Sequence, residues 1–151
     1  MLGLLILAAA DACTLLTAKE IEAVQRERPQ VSKPTSQSAG ELNVRQCFYQ
    51  LPTFEKSVSL EVTSGAGAKA YWRKAFHDEE RREEKEEEEK ERPERVKGLG
   101  EEAFWTGSAR LGGLDVLKKG SILRLSIGGA ESKDAKLAKL RARARSALKR
   151  L

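Results

Sequence analysis

Cys13 and Cys47 are the only two cysteines of a 151-residue chain and stand 34 positions apart. Of all residues here, they carry the most readable chemistry. In an oxidising compartment such a pair closes into one disulfide. A lipid anchor on Cys13 is a second reading. It would need a lipobox, and Ala10-Asp11-Ala12-Cys13 offers the small residue at −1 but Asp at −2 and no Leu at −3. Two free thiols in a reducing compartment are the third. A tetrahedral metal site needs about four ligands. Two cysteines and His77, the single histidine, are too few, so no metal and no cofactor is expected.

Catalytic arrangements are harder to find. The adjacent acids Glu101 and Glu102, close to Trp105, can be imagined as an acid pair. Sequence neighbours point apart on a helix or strand, so they seldom converge on one substrate atom. There is no G-x-S-x-G elbow and no H-E-x-x-H, and the glycine-rich pieces GAGA and GLGEE lack a strand-turn-helix phosphate context. No catalytic residue is assigned.

Charge is segregated. Net charge is +5, yet Asp78 to Arg95 holds eleven acids and six bases, a net of −5, so the other 133 residues carry +10. Ser132 to Leu151 holds eight bases and one acid, +7 of that total. The acidic run reads as a charged helical extension over 78–95, with Glu and Lys/Arg at i, i+4. The basic run reads as a helix with Leu and Ala packed inward and a wet basic face that includes Lys136, Lys139 and Arg143. Such a face can associate weakly with an anionic membrane surface. Nucleic acid is an unexpected partner, because no stacking aromatics interleave with these bases.

The first residues suggest an address. Leu2 to Ala10 is an apolar run closed by Asp11, covering roughly 14 Å as a helix and too short to span a bilayer. Ala10-Asp11-Ala12 fits an A-x-A cleavage pattern, so 1–12 reads as a secretory signal, although no base precedes the run. The rest, 13–151, reads as a single α+β domain with an exported, periplasmic or cell-envelope location. The opposing reading is an apolar N-terminus packed inside a cytosolic protein.

The elements that would position these residues follow from pattern. Thr17 and Glu20 make a T-x-x-E capping box, Leu16 and Ile21 a hydrophobic staple, and Pro29 a stop, so a short helix lies between. Residues 28–42, with Pro34 and Gly40, read as a flexible loop. Asn43 to Leu51 and Ser57 to Thr63 read as a hairpin, the second strand placing Val58, Leu60 and Val62 on one face. Ala68, Tyr71, Trp72, Ala75 and Phe76 recur at helical spacing and open a long central helix. Gly98-Leu99-Gly100 is a turn, and Glu101 to Trp105 a short helical or extended piece. Leu111 to Lys118 and Ser121 to Ile127 form a second hairpin through Lys119-Gly120, and Ser132 caps the last helix. The expected fold is therefore α+β: an antiparallel sheet of about four strands in two hairpins, packed by a short N-terminal, a long central and a C-terminal helix.

Several pieces in this order, C-T-L-L-T-A-K-E-I (13–21), C-F-Y (47–49), G-L-G-E-E-A-F-W (98–105) and the V-L-K-K-G-S-I-L-R-L-S-I hairpin, resemble small exported bacterial proteins of unknown function, often labelled as lipoproteins. The resemblance covers nearly all the chain after residue 12. It implies that Cys13 and Cys47 pair and that the Gly-Leu-Gly turn supports the fold. It carries no catalytic residue. The chain departs from the pattern at its long charged run and in lacking a basic stretch before the apolar start.

The leading expectation is an exported, disulfide-tied binding or envelope-associated module without catalysis, monomeric, with an unknown ligand or envelope protein as partner. Tyr71, Trp72, Phe104 and Trp105 are its expected ligand or partner surface. A cytosolic interaction protein that recruits partners through its charged helices is the alternative, and a small hydrolase using acids near Glu101 is a third.

Overall fold

A computed structural model describes residues 11–78 and 92–151. Most of the secretory-signal assignment (1–12), and residues 79–91 of the charged extension, lie outside the described residues. In chain order the elements are a 3₁₀ turn (Ala12–Leu15), α1 (Ala18–Gln25), β1 (Val31–Ala39), β2 (Leu42–Gln50), a 3₁₀ turn (Phe54–Lys56), β3 (Val58–Ser64), α2 (Ala68–Phe76), β4 (Glu94–Arg95), β5 (Glu102–Thr106), β6 (Gly113–Lys118), β7 (Ser121–Ile127) and α3 (Lys133–Arg150).

The strands form one antiparallel sheet of seven in the order β1-β2-β3-β7-β6-β5-β4. The fold is α+β, but not the expected four strands in two hairpins. Both hairpins form, and then β3 pairs with β7, Val58 opposite Ile127 and Leu60 opposite Leu125, so they merge at the sheet centre. The assigned loop 28–42 is mostly strand β1. All nine of its residues are exposed, so it buries nothing that would print an alternating pattern. Pro34 is tolerated because an edge strand can turn a missing N–H outward. The long central helix is a second correction. Helix α2 spans nine residues, and at its C-cap His77 the backbone leaves the helical region (φ −129°) where the apolar pattern ends.

Period-2 alternation sorts the sheet into two unlike faces. Val58, Leu60, Val62, Leu114, Val116, Leu123, Leu125 and Ile127 point one way into the main core, where α1, α3 and the first 3₁₀ turn cover them. Among the described residues, the opposite face is covered at one end, where Ala68 and Trp72 of α2 meet Phe104, Leu117 and Ile122. At the β6–β7 turn, Lys119 (φ 49°) and Gly120 (φ 75°) are both left-handed, the geometry a two-residue hairpin with native twist requires.

Two ties seat α1. Cys13 and Cys47 form a disulfide with Cα atoms 5.0 Å apart, within the reach of the bond. Beside it the Tyr49 hydroxyl donates to the Cys13 carbonyl at 3.1 Å, and burial pushes that phenol up to about 12. The second tie is Glu20. Its carboxylate accepts from the Thr17 amide at 2.9 Å, completing the capping box, and from Arg150 at the far end of α3. Burial acts to raise the Glu20 pKa, but the hydrogen bonds from Arg150, Thr17 and Ser146 outweigh it and draw it to about 2. Arg150 also reaches the Leu15 carbonyl (2.9 Å), and Arg143 the Glu20 carbonyl (3.1 Å).

Replacing both cysteines by alanine frees a 34-residue loop in the unfolded chain, and urea unfolding is expected to show a loss of about 3–4 kcal/mol. Because the folded pKa of Glu20 is depressed, its stabilisation is present above the ordinary carboxylate range. It is lost as pH falls from 4.5 toward 2. Glu20→Gln should cost about 1–2 kcal/mol at pH 7 and flatten the wild-type decline in thermal midpoint between pH 5 and pH 3.

Candidate functional site

The face that α2 leaves uncovered carries a row of polar side chains in direct register. Thr35 lies opposite Gln46, Gln46 opposite Glu61, Glu61 opposite Arg124 and Arg124 opposite Asp115. Thr35 donates to Gln46 (3.2 Å), and Gln46 donates to Glu61 (2.7 Å). The Arg124 guanidinium donates to Asp115 (2.7 Å) and to the Thr106 hydroxyl (2.8 Å), which in turn donates to Asp115 (3.0 Å). Burial pushes the Asp115 carboxyl above its usual range, while Arg124 and Thr106 hold it back. Arg124 fits because Gly113 has no side chain: a Cβ there would lie 3.0 Å from the guanidinium carbon.

Next to this row the end of the sheet opens into a groove of about 980 Å³. Ser59 and Ser126, opposite each other on β3 and β7, belong to its lining. Phe48 and Phe54, with ring centroids 5.9 Å apart, form one side, and Arg110 and Leu111 come from the β5–β6 loop. Phe54 is 63% exposed and Leu111 84% exposed. Such exposure of two large apolar side chains in one concavity is the ordinary mark of a binding surface.

A residue without an obvious sequence signal holds the groove's frame. Gln25, the last residue of α1, is buried. Its amide donates to the Lys56 carbonyl (2.7 Å) and the Gly128 carbonyl (3.3 Å), while Lys56 donates back to the Gln25 carbonyl (2.7 Å). Lys56 and Gly128 both line the groove. Gly128 approaches so closely that a Cβ would fall 1.6 Å from the Glu55 carbonyl oxygen.

The expected aromatic surface does not form. Trp105 is buried in the main core, and its indole N–H donates to the Gly107 carbonyl (2.8 Å). Trp72 and Phe104 are buried on the other face of the sheet, where Trp72, Phe76 and Phe104 pack together. Only Tyr71, 53% exposed, stays at the surface. The alternation along β5 separates Phe104 from Trp105, and no propensity argument could have placed both on one side.

The expected basic face is not a face either. Lys136 is fully buried, Lys139 bonds Glu131 (2.6 Å) and Gln25 (3.3 Å), and Arg143 is spent on the Glu20 carbonyl. The core stripe of α3 is Lys136, Leu140, Ala144, Ala147 and Leu148. It runs one position earlier than a Leu-only reading puts it, which draws Lys136 inward.

The two neighbouring acids part ways. Glu101 is exposed, while Glu102 accepts from the Trp72 indole (3.0 Å), lies 2.8 Å from His77 Nε2, and is 3.5 Å from Arg95. Burial acts to raise its pKa, but Trp72, His77 and Arg95 together hold it below the usual range. A carboxylate kept ionised by three donors is a poor proton donor. It ties α2 to β4 and β5.

Gly128→Ala should lower the urea midpoint by an amount equivalent to about 1–3 kcal/mol, because the turn Phe54–Lys56 must yield; an unaltered midpoint would contradict the close approach. Comparisons with family models, with curated proteins and with solved structures each find no match for this chain.

Proposed function

We propose that this protein is an exported, disulfide-tied module that binds a ligand, without turning it over, in the groove at the open end of its sheet. The carrying observation is the exposure of Phe54 and Leu111, contributed to one concavity by two separate segments. The glycines and the Gln25 hydrogen bonds hold that concavity open, and preorganisation of this kind favours binding. The Cys13–Cys47 bond supports an oxidising compartment. Among the described residues, no helix is long and apolar enough to cross a membrane.

The reading without turnover draws its support from where the histidine lies. The only histidine sits with Glu102 near Leu117, whereas the groove borders Gly112 at the other end of β6, roughly 15 Å away along the strand. The hydroxyls of Ser59 and Ser126 therefore have no neighbouring histidine to activate them.

The neutral fluorophore N-phenyl-1-naphthylamine tests the groove. It is expected to bind the wild-type chain, and Phe54→Ser with Leu111→Ser should weaken it at least fivefold while leaving the thermal midpoint within about 1 °C, since both side chains are exposed. Unchanged dye binding would remove the groove from consideration. Mass analysis of periplasmic material, with and without reductant, tests the address. A species two hydrogens light that shifts on reduction supports export, and recovery only as a cytosolic dithiol contradicts it.

A further inference from the structure

The groove sets a row of hydroxyls beside its apolar side chains. Phe48 on β2 lies opposite Ser59 on β3, and Ser59 lies opposite Ser126 on β7. Each stands two positions along its strand from Gln46, Glu61 or Arg124, so all three share the face of the polar row. In that row the side chains bond one another, Gln46 to Glu61 and Arg124 to Asp115. The Ser59 and Ser126 hydroxyls instead have no side-chain partner among the described residues. Ser59 is exposed and Ser126 half-buried, so both are open to a ligand.

The charges of the lining balance. Glu55 and Glu131 stand against Lys56 and Arg110, so neither a cation nor an anion meets a surplus of opposite charge. Lys56 is held by the Gln25 carbonyl and Glu27, and Glu131 by Lys139. Glu55 and Arg110 are exposed and make no side-chain bond among the described residues. They leave one acceptor group and one donor group to a ligand. A plain hydrocarbon would cover Phe54 and Leu111, but it would strip water from the two serines and return nothing.

We propose that the groove takes a neutral saccharide, with a ring face against Phe54 and hydroxyls meeting Ser59, Ser126, Glu55 and Arg110. This rests on the groove-binding reading above and adds the chemistry of the ligand. A pyranose ring joins the two properties that the lining asks for. Its C–H face suits the negative face of a phenyl ring. Each of its hydroxyls both donates and accepts, as a serine hydroxyl does. Those that reach Glu55 and Arg110 form charge-assisted hydrogen bonds without needing a net charge of their own. From Phe48 to Ser126 the row crosses about 10 Å at the spacing of neighbouring strands, room for two rings in line.

The test follows displacement of N-phenyl-1-naphthylamine from the full-length chain by four competitors. They are cellobiose, the cationic β-linked dimer of glucosamine, the anionic cellobiouronate, and sorbitol, which has hydroxyls without a ring face. Cellobiose is expected to displace the dye in the millimolar range, with sorbitol at least tenfold weaker and neither charged disaccharide better than cellobiose. Ser59→Ala with Ser126→Ala should raise the cellobiose requirement at least fivefold. Dye affinity and thermal midpoint should stay as in the wild type, since neither serine is buried. Sorbitol as effective as cellobiose overturns the proposal, as does a charged disaccharide at least tenfold better, or a folded double variant that cellobiose displaces as readily. Dye that binds and that no disaccharide displaces defeats this inference alone, whereas a wild-type chain that binds no dye defeats the groove reading together with it.

Discussion

One-sided burial of the seven-stranded sheet is the constraint on which everything else here depends. Apart from Leu117 and Ile122, which lie under α2, the apolar residues of β3, β6 and β7 fall on the face under α1 and α3. A single-residue slip in any of these strands would send that set into water. The cost of so complete a division is that the second face receives every alternate residue, and most of those are polar. Cross-strand hydrogen bonds, Thr35 to Gln46 to Glu61 and Arg124 to Asp115, satisfy polar groups on that face without covering it. Away from α2, that face carries the groove by Phe48, Phe54 and Leu111. Sheet and groove therefore share an origin.

The basic C-terminal helix holds the covered face shut. Arg143 and Arg150 reach the carbonyls of Glu20 and Leu15, Arg141 reaches the Lys97 carbonyl, and Lys133 pairs with Glu94. Backbone carbonyls at the end of the first 3₁₀ turn, in the first turn of α1 and in the β4–β5 connection thus find donors on α3. A strongly basic helix is in this case largely a set of staples, and net charge by itself would have suggested an interaction surface. Close to Glu20 these staples meet the disulfide, which fixes the Ala12–Leu15 turn to β2 from the other side.

Much of this fold is legible in the sequence, and the exceptions have physical causes. The capping box at Thr17 and Glu20, the two hairpins, the Lys119-Gly120 turn and the Ser132 cap all rest on local rules, and all are observed. Strand β1 was missed because an edge strand that buries nothing has no periodicity to detect. The pairing of β3 with β7, which turns two hairpins into one sheet, joins residues 59 to 69 positions apart and leaves no local trace. The groove was missed for the same reason: Gln25, Phe54, Leu111 and Gly128 have nothing in common until the chain closes. Conversely, the aromatics that stood out as a surface were mostly core, as large aromatics usually are.

Gln25 links these two halves of the structure. It belongs to the covered side, yet its amide fixes the two segments that frame the groove. Backbone amide chemical shifts during a titration with N-phenyl-1-naphthylamine therefore test the central claim most directly. Binding in the groove predicts the largest shifts at Ser59, Gly112, Ser126 and Gly128, with smaller ones at Gln25. Largest shifts around Trp72, His77 and Glu102, or none anywhere, would contradict it.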